Sequence, residues 1–309
     1  MDYSVTHYLL GDKMNVILTH VGSNIQSYSK YGWHQLRVFN PNIDIYFIGQ
    51  SQSLLDNKDD LRKYNIIPIE AEQFNNNQLI KEFRRLQWYD AWGSPNTVFP
   101  SPKNFVTGTS LRLYTLNAFL EQANLIDSIH LENDIMIFAD LYNLMVKIKN
   151  IYNKFTCTEI QDHYSCCGFT YIPHQKHLND VCVFMLKLLE LGDSGIKNKY
   201  KFIPMVHEML LISLWEDKML FPILPTDQYY EELGCLVDGC SVGQFLGGTN
   251  CFGQGEGYVS SEHFVGRKIM DGTYKPVILE KLPYLVDKEG KLHKLANLHI
   301  HSKKLENFC

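Results

Sequence analysis

The sequence predicts a single α/β domain with a Rossmann-type mixed sheet that is flanked by helices. Apolar, strand-like segments alternate with helix-compatible stretches in the first half of the chain, which is typical of parallel βαβ units. The chain has 309 residues, of which 45% are apolar, enough for one large core. No linker or internal repeat divides the sequence, so we expect one domain over residues 1–309.

The first half contains three predicted strands and an intervening helix. Residues 14–19 and 43–49 are apolar strands, the second ending at a glycine, and residues 66–69 form a short third strand. Residues 24–39, between the first two strands, are compatible with a helix. This order predicts that the three strands are parallel neighbours.

The carboxyl end of the first strand is a candidate nucleotide-binding position. Parallel α/β sheets bind their ligands at the carboxyl ends of the strands, and Thr19, His20 and Gly22 lie at this end. The sequence has no GxGxxG and no GxxxxGK[ST] segment, which argues against NAD-type and P-loop cofactors.

The second half alternates further helices and strands with a glycine-rich segment. A loop over 90–108 precedes a helix over 110–123, for which Ser110 is the predicted N-cap. The remaining predictions are strands at 129–131, 135–138 and 167–172, helices at 179–191 and 205–215, an irregular segment at 234–257 and a strand-like tail at 298–301.

Composition and charge restrict the class of partner. A formal net charge of -5 predicts no extended nucleic-acid-binding surface. The N-terminus lacks the features of a signal peptide, and no apolar run is long enough to span a bilayer. Eight cysteines without CxxC spacing predict buried, reduced thiols and a cytoplasmic location. An excess of lysine over arginine suggests a bacterial or large-virus origin, and nothing in the sequence indicates an oligomeric state.

An acidic motif interrupts an apolar strand. Glu132-Asn133-Asp134 lies between the predicted strands 129–131 and 135–138. Two carboxylates that converge at a strand end favour a hard divalent cation such as Mn²⁺ or Mg²⁺, which also binds diphosphate oxygens. The alternative is a polar turn between two strands, although burying carboxylates there without a partner is costly.

This segment resembles the DxD signature of nucleotide-sugar-dependent glycosyltransferases of the GT-A fold, with glutamate in the first place. The resemblance implies that Asp134 coordinates a Mn²⁺ or Mg²⁺ ion bridging the diphosphate of a nucleoside diphosphate sugar. It implies that Glu132 contacts the metal or the donor ribose. It also implies a nucleotide-sugar-binding half over residues 1–140 and an acceptor-binding half over residues 141–309.

The C-terminal segment resembles the late histidine and lysine that complete the site in many GT-A enzymes. His299 and His301 point the same way in an extended segment, so both are candidate metal ligands, and His301 is favoured because it is nearer the lysines. Lys303 or Lys304 would hold the diphosphate. The alternative is a polar tail with two ordinary histidines.

Two further residues are carried over from the same resemblance. Glu208, at a predicted helix start, would deprotonate the acceptor hydroxyl in an inverting enzyme, or orient the acceptor in a retaining one. The alternative is a solvated first-turn glutamate, and Asp162 and Asp238 are rival carboxylates. Arg112 would contact the donor phosphates or hold the acidic motif, and a structural ion pair is the alternative.

Weaker candidates lie elsewhere. Glycines over residues 243–248 suggest a close backbone approach to a ligand, with a plain loop as the alternative. Trp88, Tyr89 and Trp92 are candidates for a stacking surface, or else core residues.

The resemblance predicts a metal-dependent hexosyl- or pentosyltransferase of glycan biosynthesis. It would move a sugar from a nucleoside diphosphate sugar, with UDP the expected nucleotide, to a hydroxyl on a glycan, protein or other molecule. One alternative is a sugar-nucleotide nucleotidyltransferase, although residues 19–23 offer one glycine and no Arg or Lys for a phosphate loop. Another is a non-catalytic carbohydrate-binding protein with a degenerate site.

Overall fold

A seven-stranded mixed sheet is at the centre of the fold in the computed structural model, which describes residues 14–22, 24–86, 105–201, 206–250 and 253–309. The strands within these ranges are β1 (Asn15–His20), β2 (Asp44–Gly49), β3 (Ile67–Glu70), β4 (Ile126–Leu131), β5 (Ile135–Ile137), β6 (Thr156–Gln161), β7 (Tyr164–His174), β8 (Met219–Leu220), β9 (Tyr274–Leu279), β10 (Leu282–Asp287), β11 (Leu292–Lys294) and β12 (Asn297–His299). The helices are α1 (Ser29–Phe39), α2 (Ser51–Asp56), α3 (Lys58–Lys63), α4 (Gln78–Arg84), α5 (Phe105–Ala123), α6 (Leu141–Ile151), α7 (Gln175–Leu189), α8 (Gly192–Lys199), α9 (Glu208–Ser213), α10 (Tyr230–Leu233), α11 (Ser241–Gly247) and α12 (Phe264–Met270).

The strand order of the central sheet is β3-β2-β1-β4-β7-β6-β8. β3, β2, β1 and β4 are parallel, which confirms the predicted Rossmann-type first half. β7 is antiparallel to both β4 and β6, so the sheet is mixed as predicted. The carboxyl ends of β1 and β4 therefore lie side by side at one edge, where β7 begins.

Both faces of the sheet are buried, as expected for parallel strands between helices. Ile17 of β1 packs in a core that includes residues of α5 and α7, such as Leu116 and Val181. Val16 and Leu18 point the other way, into a second core with residues of α1 and α6. Apolar side chains along β1 are thus divided between two cores, which accounts for its continuous apolar sequence.

A third layer carries the C-terminal part of the chain. β5 lies outside the central sheet and pairs with β12 in an antiparallel two-stranded sheet, with Met136 opposite Leu298. β9, β10 and β11 form a separate antiparallel sheet, and its Leu285 joins Met136 and Leu298 in a third core. None of the helices within the ranges given above is long and apolar enough to cross a membrane.

Several boundaries differ from the sequence predictions. α5 begins at Phe105, so Ser110 is buried inside the helix and is not its N-cap. The segment 234–257 was predicted to be irregular but contains the helix α11, because the Asp238 carboxylate accepts the N–H groups of Val242 and Gly243 in its first turn. α1 begins at Ser29, later than expected, and α7 begins four residues early, at Gln175. Of the hairpin β6–β7, only a part of β7 was predicted. The sheet β9–β11 was not predicted.

Candidate metal and donor site

The acidic motif forms a turn between β4 and β5. The Glu132 N–H donates to the Gly168 carbonyl of β7 at 3.0 Å, and the Ile135 N–H donates back to the Glu132 carbonyl at 3.2 Å. The turn carries Asp134 into the interior, where only 6% of its surface is exposed. The turn therefore ends β4 at the edge where parallel α/β sheets bind their ligands.

The C-terminal segment returns to this turn through the pairing of β12 with β5. His299 is opposite Ile135 in the register, and the Ile300 N–H donates to the Asp134 carbonyl at 2.9 Å. This pairing places the His299 Nε2 atom 3.2 Å from Asp134 Oδ2 and 3.7 Å from Glu132 Oε2. Candidate ligand atoms of the three residues lie within 4.8 Å of one another.

His299 is held in one orientation by the segment that precedes α11. Its Nδ1–H donates to the Gly239 carbonyl at 2.6 Å, and its backbone N–H donates to Asp238 Oδ2 at 3.1 Å. A hydrogen bond on Nδ1 directs Nε2 toward the carboxylates, which is the usual arrangement of a metal-binding histidine. Asp238 also accepts the backbone N–H groups of Val242 and Gly243, so three backbone N–H groups engage this carboxylate, and its role stays a prediction.

Two glycines allow the backbones around His299 to approach. A Cβ atom on Gly243 would lie 2.0 Å from the His299 carbonyl oxygen, and one on Gly168 would lie 3.1 Å from His299 Nδ1. Gly243 was predicted to permit a close backbone approach to a ligand. The structure shows instead that the close approach is to β12.

Lys303 places its ammonium on the same carboxylate. Its Nζ contacts Asp134 Oδ2, and the Tyr28 ring centroid is 5.9 Å away. Burial would raise the pKa of Asp134, yet Lys303 and His299 hold it well below its usual value. Burial would likewise lower the pKa of His299, yet Asp134 raises it well above its usual value. The buried cluster is therefore ionic.

The other two tail residues lie outside this cluster. His301 Nδ1 accepts a hydrogen bond from Gln244 Nε2 at 3.0 Å, and its ring packs against that of His299 at 4.4 Å. Burial, reinforced by the charges of His299 and Lys303, lowers the pKa of His301 well below its usual value. Lys304 is exposed. The geometry thus favours His299 over His301 and Lys303 over Lys304, and the roles of all four stay predictions.

Arg112 of α5 links the acidic motif to Glu208. Its Nη2 lies 2.6 Å from Glu132 Oε1 and 3.8 Å from Glu208 Oε1. Glu208, the first residue of α9, is buried, and its Oε2 accepts the Thr109 hydroxyl at 2.7 Å. The two predicted residues are thus brought together with Glu132. Asp162, the remaining rival to Glu208, lies exposed in the turn between β6 and β7.

The predicted nucleotide contacts lie at the end of β1. Thr19 is 3% exposed, and its hydroxyl has no hydrogen-bond partner in the described part of the chain. The His20 ring Nδ1 is 3.4 Å from Asn133 Nδ2 within the acidic motif, and burial, reinforced by Arg112, lowers the pKa of His20. The Gly22 carbonyl accepts the Ser53 hydroxyl at 3.3 Å.

Two groups of predictions remain. Trp88, Tyr89 and Trp92 lie outside the described residues. The cysteines that the structure describes are free thiols, as predicted, and all are buried except Cys309.

A solved glycosyltransferase structure shares this fold. Mouse xyloside xylosyltransferase 1, in its apo form, is similar with a TM-score of 0.50 at 11% identity, over 72% of this chain and 92% of that one. Weaker similarity is found for the galactosyltransferase LgtC in complex with donor and acceptor sugar analogues (TM-score 0.42, 12% identity, 68% and 73% covered) and for the PaToxG glycosyltransferase (0.40, 10%, 65% and 67%). No protein-family model and no curated protein sequence matches the chain. The first of these similarities confirms the predicted GT-A fold.

Proposed function

We propose that this chain is a metal-dependent glycosyltransferase that moves a sugar from a nucleoside diphosphate sugar to a hydroxyl acceptor. The observation that carries the proposal is the convergence of Glu132, Asp134 and His299 at the ligand-binding edge of a GT-A sheet. Carboxylate oxygens with one imidazole nitrogen suit Mn²⁺ or Mg²⁺, so the residues present fit such an ion.

The reaction breaks the bond between the anomeric carbon and the diphosphate oxygen, and the electron pair leaves with the diphosphate. The acceptor oxygen forms the new bond to the anomeric carbon and loses its proton. A bound Mn²⁺ or Mg²⁺ would stabilise the negative charge that develops on the leaving diphosphate. Lys303 would add a second positive charge, because its ammonium lies beside Asp134.

Glu208 is the proposed carboxylate of the acceptor side. Its two oxygens are oriented by Thr109 and Arg112, so the group is held in place before an acceptor binds. In an inverting reaction it would accept the acceptor's proton, and in a retaining reaction it would orient the acceptor. Because Arg112 also contacts Glu132, one guanidinium connects the donor and acceptor sides.

The nucleotide would bind along the end of β1, and UDP is the expected nucleotide. Thr19 supports this placement because its buried hydroxyl has no hydrogen-bond partner among the residues that the structure describes. His20 and Gly22 lie at the same end of β1, and the His20 ring contacts the Asn133 side chain of the acidic motif.

Donor hydrolysis tests the proposal. The protein is incubated with a panel of nucleotide sugars, with and without Mn²⁺, and released nucleoside diphosphate is measured. We expect Mn²⁺-dependent turnover of one donor, lost in Asp134→Asn and retained in Asp180→Asn, which removes the same charge from the surface of α7. No donor binding by calorimetry at millimolar concentration with Mn²⁺ present would contradict the proposal. Release of pyrophosphate from a sugar phosphate and a nucleoside triphosphate would point instead to nucleotidyl transfer.

A further inference from the structure

Lys303 Nζ and His299 Nε2 face the same oxygen atom of Asp134. Asp134 Oδ2 is the atom that contacts Lys303 Nζ, and it is also the Asp134 oxygen that lies 3.2 Å from His299 Nε2. An ion held by Asp134 and His299 would therefore sit against the lysine ammonium. Two positive charges at such a distance repel each other strongly in a buried site.

The backbone fixes Lys303 in this place. Its φ angle is +63°, in the left-handed region that residues other than glycine rarely adopt. Its N–H donates to the Ile300 carbonyl at 3.1 Å. The tight turn that follows β12 thus directs the side chain back over the acidic motif. Lys303 is built into the site and is not a loose tail residue that happens to reach it.

The charges of the acidic motif are already matched within the protein. Arg112 Nη2 is 2.6 Å from Glu132 Oε1, and Lys303 Nζ contacts Asp134 Oδ2. Two carboxylates with two permanent cations attract a divalent ion much less than two free carboxylates would. A diphosphate would restore the negative charge that the ion requires and would give the ammonium a second anionic partner.

We propose that Lys303 acts as an internal competitor of the divalent cation at Asp134. The cation then binds tightly only together with the donor diphosphate, which draws the ammonium away from Asp134. Metal and donor binding are thereby coupled, and by linkage each ligand increases the affinity of the other. This inference rests on the proposed function, because it assumes that the site takes a cation and a diphosphate.

Titration with Mn²⁺ in the absence of nucleotide tests the competition. We expect Lys303→Met to bind Mn²⁺ roughly 10- to 100-fold more tightly than the wild type, the range given by losing one charge-assisted hydrogen bond. Lys303→Gly removes the same amine and accepts the positive φ angle without strain, so it provides a second variant that preserves the turn. Lys303→Arg keeps the charge and is expected to bind Mn²⁺ like the wild type. Lys176→Met is the matched control, since it removes a charge from the surface of α7, where the ammonium contacts Asp180.

The second measurement is UDP binding at saturating Mn²⁺. Lys303→Met is expected to bind UDP at least about tenfold more weakly, opposite in direction to its Mn²⁺ affinity. Mn²⁺ affinity that is unchanged or lower in both Lys303→Met and Lys303→Gly would overturn the competition, while wild-type donor turnover would leave the proposed function standing. Absence of Mn²⁺ binding in every variant, with no donor turnover, would overturn both.

Discussion

Alanine in place of Gly243 is expected to separate α11 from β12 and to weaken cation binding. The added Cβ atom would lie 2.0 Å from the His299 carbonyl oxygen and 2.6 Å from its carbonyl carbon. Ordinary contacts of this kind begin at 3.4 Å, so the two backbones must move apart by about 1.4 Å. Both atoms belong to the backbone, so no side-chain rotation relieves the contact.

The expected cost follows from what this movement disrupts. Overpacking a close contact costs about 1–3 kcal/mol, and here the hydrogen bonds from Gly243 and His299 to Asp238 are strained as well. We therefore expect a loss of about 3 kcal/mol in the free energy of unfolding. A metal site tolerates ligand displacements of roughly 0.5 Å, so Mn²⁺ affinity is expected to fall at least about tenfold.

Urea denaturation and Mn²⁺ titration measure the two effects. Gly255→Ala is the control, because no atom of the described residues lies within 4 Å of its Cβ position, and its stability is expected to stay within about 0.5 kcal/mol of the wild type. If Gly243→Ala matched the wild type in both measurements, the contact between α11 and β12 would not be what holds His299 in place.

Two further substitutions test the assignment of roles. His299→Ala is expected to lower Mn²⁺ affinity roughly 10- to 100-fold by calorimetry, whereas His301→Ala is expected to change it less than about threefold. The Nδ1 atom of His301 accepts from Gln244, which leaves the proton of the neutral ring on Nε2, and the ligand atoms that converge are those of Glu132, Asp134 and His299. The reverse ranking would assign the ligand role to His301. Glu208→Gln is expected to lower kcat by about 100-fold or more with a nearly unchanged donor KM. Loss of the acidic limb of the pH–rate profile in Glu208→Gln identifies a base, a retained limb identifies an orienting group, and an unchanged kcat would exclude both roles.

Local sequence patterns were sufficient to predict the first half of the fold. β1, β2 and β3 are each an apolar run followed by a helix-compatible segment, and all three lie within about one residue of their predicted positions. The acidic motif was identifiable for a similar reason, since charged side chains interrupt an otherwise apolar pattern at residue 132. Periodicity is a property of neighbouring residues, and these elements depend mainly on their neighbours.

The supports of the site could not be predicted in this way. Asp238 and Gly239 hold His299 from 61 and 60 residues away, through hydrogen bonds that involve backbone groups and leave no pattern in the sequence. Asp238 was considered only as a catalytic carboxylate, because an isolated aspartate near a glycine looks the same in either role. The one signal that the sequence offers is the glycines at 243–248, which predict a close backbone approach to a ligand or else a plain loop. The pairing of β5 with β12 places His299 beside the acidic motif, and such a pairing depends on contacts between residues that are distant in the sequence.

The glutamate in the first position of the acidic motif has a physical explanation in its two oxygens. Glu132 Oε1 lies 2.6 Å from Arg112, while Oε2 faces His299 at 3.7 Å. One carboxylate thus contacts the guanidinium on one side and the candidate cation site on the other. Asp134, which has the shorter side chain, faces His299 and Lys303 through a single oxygen. The longer side chain at position 132 therefore suits a residue that must connect the cation site to Arg112 and, through it, to Glu208.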